Sequence, residues 1–389
     1  MITLKLAIKN LLGAGLRTWL NVIVLSFSFV VIIWTQGLYE GMTRQTTREA
    51  MNAEYGGGQY WHSQYDPYDS SSLPDAHGTI PTSLQTIIDQ GHATPILILQ
   101  GTIYPQDRFQ SVVIKGIEPS QDILTIPSDS LKSEEELPVL IGNRMSENTG
   151  LKVGDYFTVR WRDENGTFDA KNAKIVHIMN TIVSTIDNGQ IWVPLDKIQN
   201  YSQMQNKATL VVAEKDHKPS ENIAGWDFKN LSFLLSDLEE IVQTKTAGAS
   251  IIYIILLALA MLAIFDTQVL SIFRRRKEMG TLMALGFTRG KVIKLFTLEG
   301  ALHGVLAAIV AAIYGIPFLT WFAKTGWALP EATESFGLGI GEKLFPTYSA
   351  GLVIGTTILV LVVTTIVSFL PTRKIAKLKP TDALRGKMS

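Results

Sequence analysis

A chain of 389 residues has room for two or three domains, and its 35 Lys and Arg against 35 Asp and Glu leave no formal net charge. That balance argues against a nucleic-acid partner, which calls for a basic field, and the absence of cysteine excludes disulfides and thiolate metal sites. The six histidines include no pair at helical i, i+4 spacing, which argues against a metal enzyme.

Hydrophobic residues make up 46% and charged residues 18% of the chain, an average over two populations. Residues 43–248 read as a soluble domain and most of the remainder as membrane. Four apolar stretches reach the roughly 20 residues that a spanning helix needs: Leu20–Leu38, Ile251–Phe273, Leu298–Phe322 and Ala350–Leu370. The first reads as an uncleaved anchor, because its apolar run is long and no small-x-small cleavage site follows before Gly41. It leads into GLYEGMTRQTTREAMNAEY, which favours helix up to Tyr55, where Gly56-Gly57-Gly58 breaks it. The second stretch is preceded by Leu234, Leu235, Leu238, Ile241 and Val242 at helical spacing. Both spans are therefore expected to continue as helical stalks, the alternative being short amphipathic helices on the membrane surface.

Between the stalks the pattern is α+β. Residues 111–117, 156–161, 173–179, 189–195 and 208–213 read as strands, and Gly154-Asp155 as the turn before the second of them. Residues 62–79 read as a loop, and the polar stretch 127–137 as a connector between two lobes.

Lys and Arg in short flanking segments set orientation. Lys5, Lys9 and Arg17 precede the first span; Arg274, Arg275, Arg276, Lys277, Arg289, Lys291 and Lys294 lie between the second and third; Arg373, Lys374, Lys377, Lys379, Arg385 and Lys387 follow the fourth. The segment between the third and fourth spans has only Lys324 and Lys343, beside Glu331, Glu334 and Glu342. Both termini are thus expected in the cytoplasm and the domain at 43–248 outside it, with Trp321 and Trp327 in the outer interfacial belt. The expected fold class is a membrane protein, α-helical with four transmembrane helices, carrying an α+β extracytoplasmic domain between the first two. Its divisions are 1–42, 43–248 and 249–389.

Chemistry is sparse. Gly286-Phe-Thr-Arg-Gly290-Lys291-Val292 is one residue too short for a phosphate-binding loop and lacks the metal-binding Ser or Thr. No G-x-S-x-G elbow is present. Asp266 and Glu299 sit at membrane depth, where a carboxylate suggests a relay, but both are near cytoplasmic ends, within reach of water or of Arg274–Lys277 and Lys294. Gly37/Gly41, Gly300/Gly304 and Gly351/Gly355 match G-x-x-x-G, and one of them is expected to mark close helix packing.

The most informative segment is RRRKEMGTLMALGFTRGKVIKLFTLEG, 274–300. After four cations, Glu278–Leu285 reads as a short helix with Met279, Leu282, Met283 and Leu285 apolar. Gly286 suits the C′ position that ends it, and Thr288 suits the N-cap of the next helix. Such a helix fits a groove on another protein, or alternatively rests on lipid headgroups.

This segment resembles the signature of the FtsX-like permeases, and within them the macrolide-exporter and lipoprotein-releasing type. LPVLIGNRMSENTGLKVGDYFTV (137–159) resembles that type's external MacB-like core motif, with Ser146-Glu147 as a departure; LAIKNLLGAGLRTWLNVI (6–23) and LPTRKIAKLKPTDALRG (370–386) are similar to its leading helix and tail. The resemblance implies an inner-membrane ABC transporter permease, periplasmic at 43–248, that pairs with a second permease and a cytoplasmic ATPase dimer. ATP would be used by that partner, leaving no cofactor and no ATPase site in this chain. Glu278, Met279, Leu282, Leu285 and Gly286 would contact the ATPase, and the stalks would carry its motion to the periplasmic domain, a process of mechanotransmission. Release of lipoproteins, aided by a periplasmic chaperone or adaptor, is the leading expectation, because a length near 400 residues without a fused ATPase resembles those permeases. Efflux of amphiphiles or peptides is the alternative, and regulation of a periplasmic hydrolase or sensor the alternative of another class. A channel-forming importer ranks below these, because few polar residues are available to line a pore.

Overall fold

No proline interrupts the chain between Leu16 and Tyr55. In the computed structural model this stretch is one helix, α1 (Leu16–Ala50), which runs on as a π-helical turn, Met51–Tyr55, and stops at Gly56. The structure describes residues 15–181, 183–219, 223–274, 276–328 and 343–375; the segment 1–14, Arg275, Glu331, Glu334, Glu342 and the tail beyond 375 lie outside the described residues. At 1.5 Å per residue the helix and its π turn measure about 60 Å, roughly twice the hydrocarbon thickness of a bilayer. The helix is therefore longer than a span alone needs.

Two compact units divide the chain: a helical one of Met1–Met42, Val242–Ala328 and Leu344–Ser389, and a β-rich one of Thr43–Ile241 with Leu329–Lys343.

The β-rich unit begins with β1 (Gly58–His62), β2 (Gly78–Thr79), α2 (Thr82–Asp89), the long β3 (Ala93–Tyr104) and β4 (Gln110–Ile117). It continues through β5 (Pro138–Gly142), α3 (Asn143–Thr149), β6 (Tyr156–Arg162), β7 (Phe168–Met179) and α4 (Ser184–Asp187). Next come β8 (Gln190–Pro194), α5 (Leu195–Tyr201), β9 (Lys207–Ala208), β10 (Leu210–Ala213), β11 (Trp226–Lys229) and α6 (Leu231–Leu234). The unit is thus mixed α and β, with the five expected strands in β4, β6, β7, β8 and β9–β10.

Nine strands form one sheet in the order β11-β1-β10-β3-β4-β8-β5-β7-β6. β3 is long enough to serve two partners along one edge: Ala93–Ile96 pair with β10, and Gly101–Tyr104 pair with β6. The second pairing joins the ends of the series β3-β4-β8-β5-β7-β6 into a closed six-stranded barrel, which removes the free edges. Side chains alternate accordingly. Leu97, Leu99 and Ile103 point inward with Ile114, Ile141, Val159, Trp161 and Val193. Ile96, Ile98, Ile117, Trp192 and Val212 point outward into a second core, covered by Ala53, Leu131 and Leu234. Residues 127–137 lie on this sheet: Leu131 is buried there, while Glu135 and Glu136 reach Lys174 and Lys171 of β7, each at 2.7 Å.

The helical unit adds α7 (Ser236–Arg274), α8 (Arg276–Ala284), α9 (Arg289–Thr325) and α10 (Ala350–Ile375). Among the described residues three helices are long and apolar enough to cross a membrane: Trp19–Tyr55, Arg289–Thr325 and Ala350–Arg373. The fourth expected stretch lies within the 39-residue α7, several of whose side chains are outside the described residues. Val22, Leu25 and Phe29 of α1 pack with Ala307 and Ala311 of α9, Val360 and Val367 of α10, and Leu257 and Met261 of α7.

The glycine motifs separate by geometry. A Cβ on Gly37 would stand 2.1 Å from the Tyr348 ring, one on Gly41 2.1 Å from the Phe345 carbonyl, and one on Gly304 2.8 Å from Thr364 Oγ1. Gly351 and Gly355 face nothing within 4 Å. Close packing is therefore built at two of the three motifs, and the first of them meets an extended segment rather than a helix.

Three histidines of the β-rich unit link its stability to pH. His62 and His77 bury Nδ1 atoms that have no hydrogen-bond partner, and burial holds the pKa of both, and of His217, below the usual value. An unfolded chain takes up protons at these rings as pH falls through about 6.5 while the folded chain resists. Stability should therefore decline on acidification through that window. Amide-exchange protection of β1 and β10 in the full chain should fall between neutral and mildly acidic pH. The slope should flatten in His62→Gln/His77→Gln.

Candidate functional site

The sequence between α7 and α9 forms a braced corner. α8 ends as its residues dictate: Gly286 adopts φ +93°, a left-handed conformation open to glycine at little cost. Its N–H donates to the Met283 carbonyl at 3.1 Å, and the Phe287 N–H donates to the Leu282 carbonyl at 3.0 Å. This is the paired bonding of a Schellman cap, completed by apolar contact between the residues flanking it. Thr288 then opens α9, its Oγ1 accepting from the Lys291 N–H at 3.4 Å. The stretch that mimics a phosphate-binding loop is thus a helix cap, a corner and a first helical turn.

Packing fixes which face of α8 is available. Val292, Leu295 and Phe296 of α9 are fully buried, and Leu282, Met283 and Phe287 pack against them. Glu278, Thr281 and Leu285 are exposed at spacing i, i+3, i+7, which aligns them in one stripe. Leu285 is 75% exposed, a large value for a leucine on a capped helix. Lys277, Arg289, Lys291 and Lys294 are also exposed, so the sequence on either side of the apolar tip is basic.

The expected contact residues therefore part company. Glu278 and Leu285 share the outward stripe, Gly286 sets the corner, and Leu282 turns inward to brace it. The Met279 side chain lies outside the described residues. Thr281 was not singled out by the sequence pattern, although its spacing from Glu278 and Leu285 carries the signal. Phe287 stands at the position whose apolar contact closes such a cap, but that pattern alone does not fix the direction in which Leu282 points.

The two carboxylates differ. Asp266 is exposed on α7. Glu299 is only 5% exposed on α9, so water contact does not account for it. His303 Nδ1 lies 2.8 Å from the Glu299 carbonyl oxygen, one turn along the same helix.

The corner falls within a region that known proteins share. Residues 250–380, which contain the corner and the helices on either side of it, match the family described as FtsX-like permease C-terminal. The chain is 24% identical over 275 residues to the uncharacterized ABC transporter permease MJ1507 of Methanocaldococcus jannaschii, an alignment spanning 66% of this chain and 64% of that protein. It is 23% identical over 325 residues to the lipoprotein-releasing system transmembrane protein LolC of Xylella fastidiosa, spanning 74% and 75% of the two chains. It is 25% identical over 213 residues to the macrolide export ATP-binding/permease protein MacB of Chromobacterium violaceum, spanning 50% of this chain and 30% of that one. Residues 250–380 thus form an FtsX-like permease domain, in a chain similar in sequence to permeases of ABC transporters.

Proposed function

We propose that this chain is the membrane subunit of an ABC transporter and works by mechanotransmission. A partner ATPase dimer in the cytoplasm would push on α8, and the long helices α1 and α7 would carry the displacement into the β-rich domain on the periplasmic side. In this reading the chain spans the inner membrane four times, with α7 as the second span and both termini cytoplasmic, and it pairs with a second permease. The ATPase contact consists of Glu278 and Leu285 on the outside and of Met279 next to Glu278 in the sequence, with Leu282 and Gly286 holding the shape.

One observation carries this reading: an apolar tip, Leu285, held out at a corner whose Leu282, Met283 and Phe287 side chains pack against α9. A corner that bends under load loses displacement, whereas one clamped by a Schellman cap and a buried cluster transmits it. Lipoprotein release is the preferred cargo reading, supported by an alignment with LolC that runs through three quarters of both chains. Efflux of the macrolide-export kind has support over half of this chain.

Leu285→Asp tests the contact. Its side chain is mostly in solvent, so helix content and membrane insertion should stay unchanged. Burying an aspartate in an apolar groove should lower recovery of the co-purifying ATPase at least about tenfold. Leu282→Asp should instead unseat the cluster at Val292 and Phe296 and reduce folded yield. Normal ATPase recovery with Leu285→Asp would remove α8 as the docking element.

A further inference from the structure

The β-rich unit contains a cavity of about 280 Å³ beside the π-helical turn, lined by Glu54, Tyr55, Trp61, Tyr65, Lys115, Phe233 and Asp237 among others. That is the volume of roughly nine liquid water molecules, enough for a small organic group. Tyr65 and Phe233 stand nearly perpendicular to Trp61, at 80° and 76°, with ring centroids 5.1 and 5.8 Å away. All three aromatic residues line the cavity, two of them edge-to-face with the third. The fixed charges on and beside the cavity are two carboxylates, Glu54 and Asp237, and two ammonium groups, Lys115 and Lys229.

We propose that this cavity is a binding site for a small organic cation, a primary or quaternary ammonium group, held by the Trp61, Tyr65 and Phe233 rings and by the carboxylate of Asp237. Ring faces carry negative potential and attract cations within about 6 Å. A cation already uses two of these rings, because Lys229 Nζ lies 5.7 Å from the Trp61 centroid and 5.3 Å from that of Phe233. Lys115 Nζ is committed to Glu54 at 2.9 Å, so the carboxylate left for a ligand is that of Asp237. At the mouth, the Tyr68 hydroxyl donates to Asp237 Oδ2 and orients that carboxylate. The Tyr65 hydroxyl is pushed up in pKa by burial first and then by Glu54 and Asp66. It therefore stays protonated and adds no competing charge. A neutral apolar ligand leaves the Asp237 carboxylate unanswered.

The test uses the full chain in nanodiscs of phosphatidylglycerol, which has no ammonium headgroup, with empty nanodiscs as the control. Choline is titrated by calorimetry beside its uncharged isostere, in which carbon replaces the nitrogen. Choline should bind saturably, with Kd on the order of 1 mM or tighter, and the isostere at least about tenfold more weakly. Phe233→Leu and Asp237→Asn, both at exposed positions, should each weaken choline several-fold and leave the isostere unchanged. Glycerophosphocholine separates the sources: tighter binding than choline assigns a lipid headgroup, weaker binding a free cation, and either upholds the cage. Equal binding of choline and isostere, or no saturation by choline, overturns it. Neither result depends on the ATPase contact at α8, so this inference and the proposed function stand or fall separately.

Discussion

Lys115→Met should destabilise the β-rich domain by about 3–5 kcal/mol, a larger loss than any surface substitution discussed above. Lys115 projects from the outer face of β4, where its side chain is 8% exposed and its Nζ lies 2.9 Å from Glu54 Oε1, itself only 18% exposed. The ammonium also sits 5.1 Å from the centroid of the Trp192 ring. Methionine keeps the length of the side chain and its packing on Trp192 but withdraws the charge. The Glu54 carboxylate then stays in a poorly solvated site without the cation that compensated its desolvation. Removing both charges should cost much less than removing one, so Glu54→Gln/Lys115→Met should recover most of the loss. The measurement is thermal unfolding of the full chain, read through amide exchange in β4 and β8. If the single and double variants prove equally unstable, the ion pair is not what holds this joint.

The position of that ion pair shows where sequence pattern stops being informative. Glu54 and Lys115 are 61 residues apart, and no periodicity links a helix terminus to the middle of a strand. Local signals fared better. The helix stop at Gly56-Gly57-Gly58, the turn at Gly154-Asp155 and the cap at Gly286 all follow from backbone conformations that few residues tolerate. Gly154 has φ +96° and donates its N–H to the Ile175 carbonyl at 2.8 Å, while Asp155 Oδ2 accepts from the Lys152 N–H at 2.8 Å. Ser146 and Glu147, a departure from the expected motif, have a physical role: the Ser146 hydroxyl donates to the Leu151 carbonyl at 2.7 Å and closes the end of α3, and Glu147 accepts from Asn143 at 2.8 Å.

The missed strands are instructive for the opposite reason. β3 has the sequence ATPILILQGTIY, and its first seven residues are all buried. A strand covered on both faces loses the apolar–polar alternation that marks half-exposed strands, and Pro95 argues further against a central strand. Yet β3 is the strand on which the barrel closes. β5, PVLIG, is buried throughout for the same reason. Closure itself is a matter of register between β3 and β6, and register resides in hydrogen bonds between distant segments rather than in either segment alone. At the candidate site the balance was similar. The corner and its glycine were legible, whereas the choice of Leu285 over Leu282 as the outward residue depended on the cluster at Val292, Leu295 and Phe296.

Gly57→Ala should cost about 2–3 kcal/mol, near the top of the range for overpacking, although it adds one methyl group. Gly57 lies where the π-helical end of α1 passes into β1, and its N–H donates to the Ala213 carbonyl at 2.8 Å. A Cβ there would stand 2.0 Å from the Glu214 carbonyl oxygen and 2.7 Å from its carbon. Both are backbone atoms, so no rotamer change relieves the clash. Either the Gly57 bond to β10 breaks or the residues after Ala213 move, and β10 pairs with both β1 and β3. Gly248→Ala is the matched control: it lies within α7, its Cβ would meet nothing within 4 Å, and the exchange should be neutral or stabilise by up to about 1 kcal/mol. If α1 delivers motion to the sheet, the consequences also diverge. Gly57→Ala should keep ATPase recovery at α8 normal while the β-rich domain loses exchange protection and transport falls. Gly248→Ala should preserve all three. Loss of ATPase recovery in Gly57→Ala would mean that α8 depends on the β-rich domain for its own folding, which the proposed one-way transmission of force excludes.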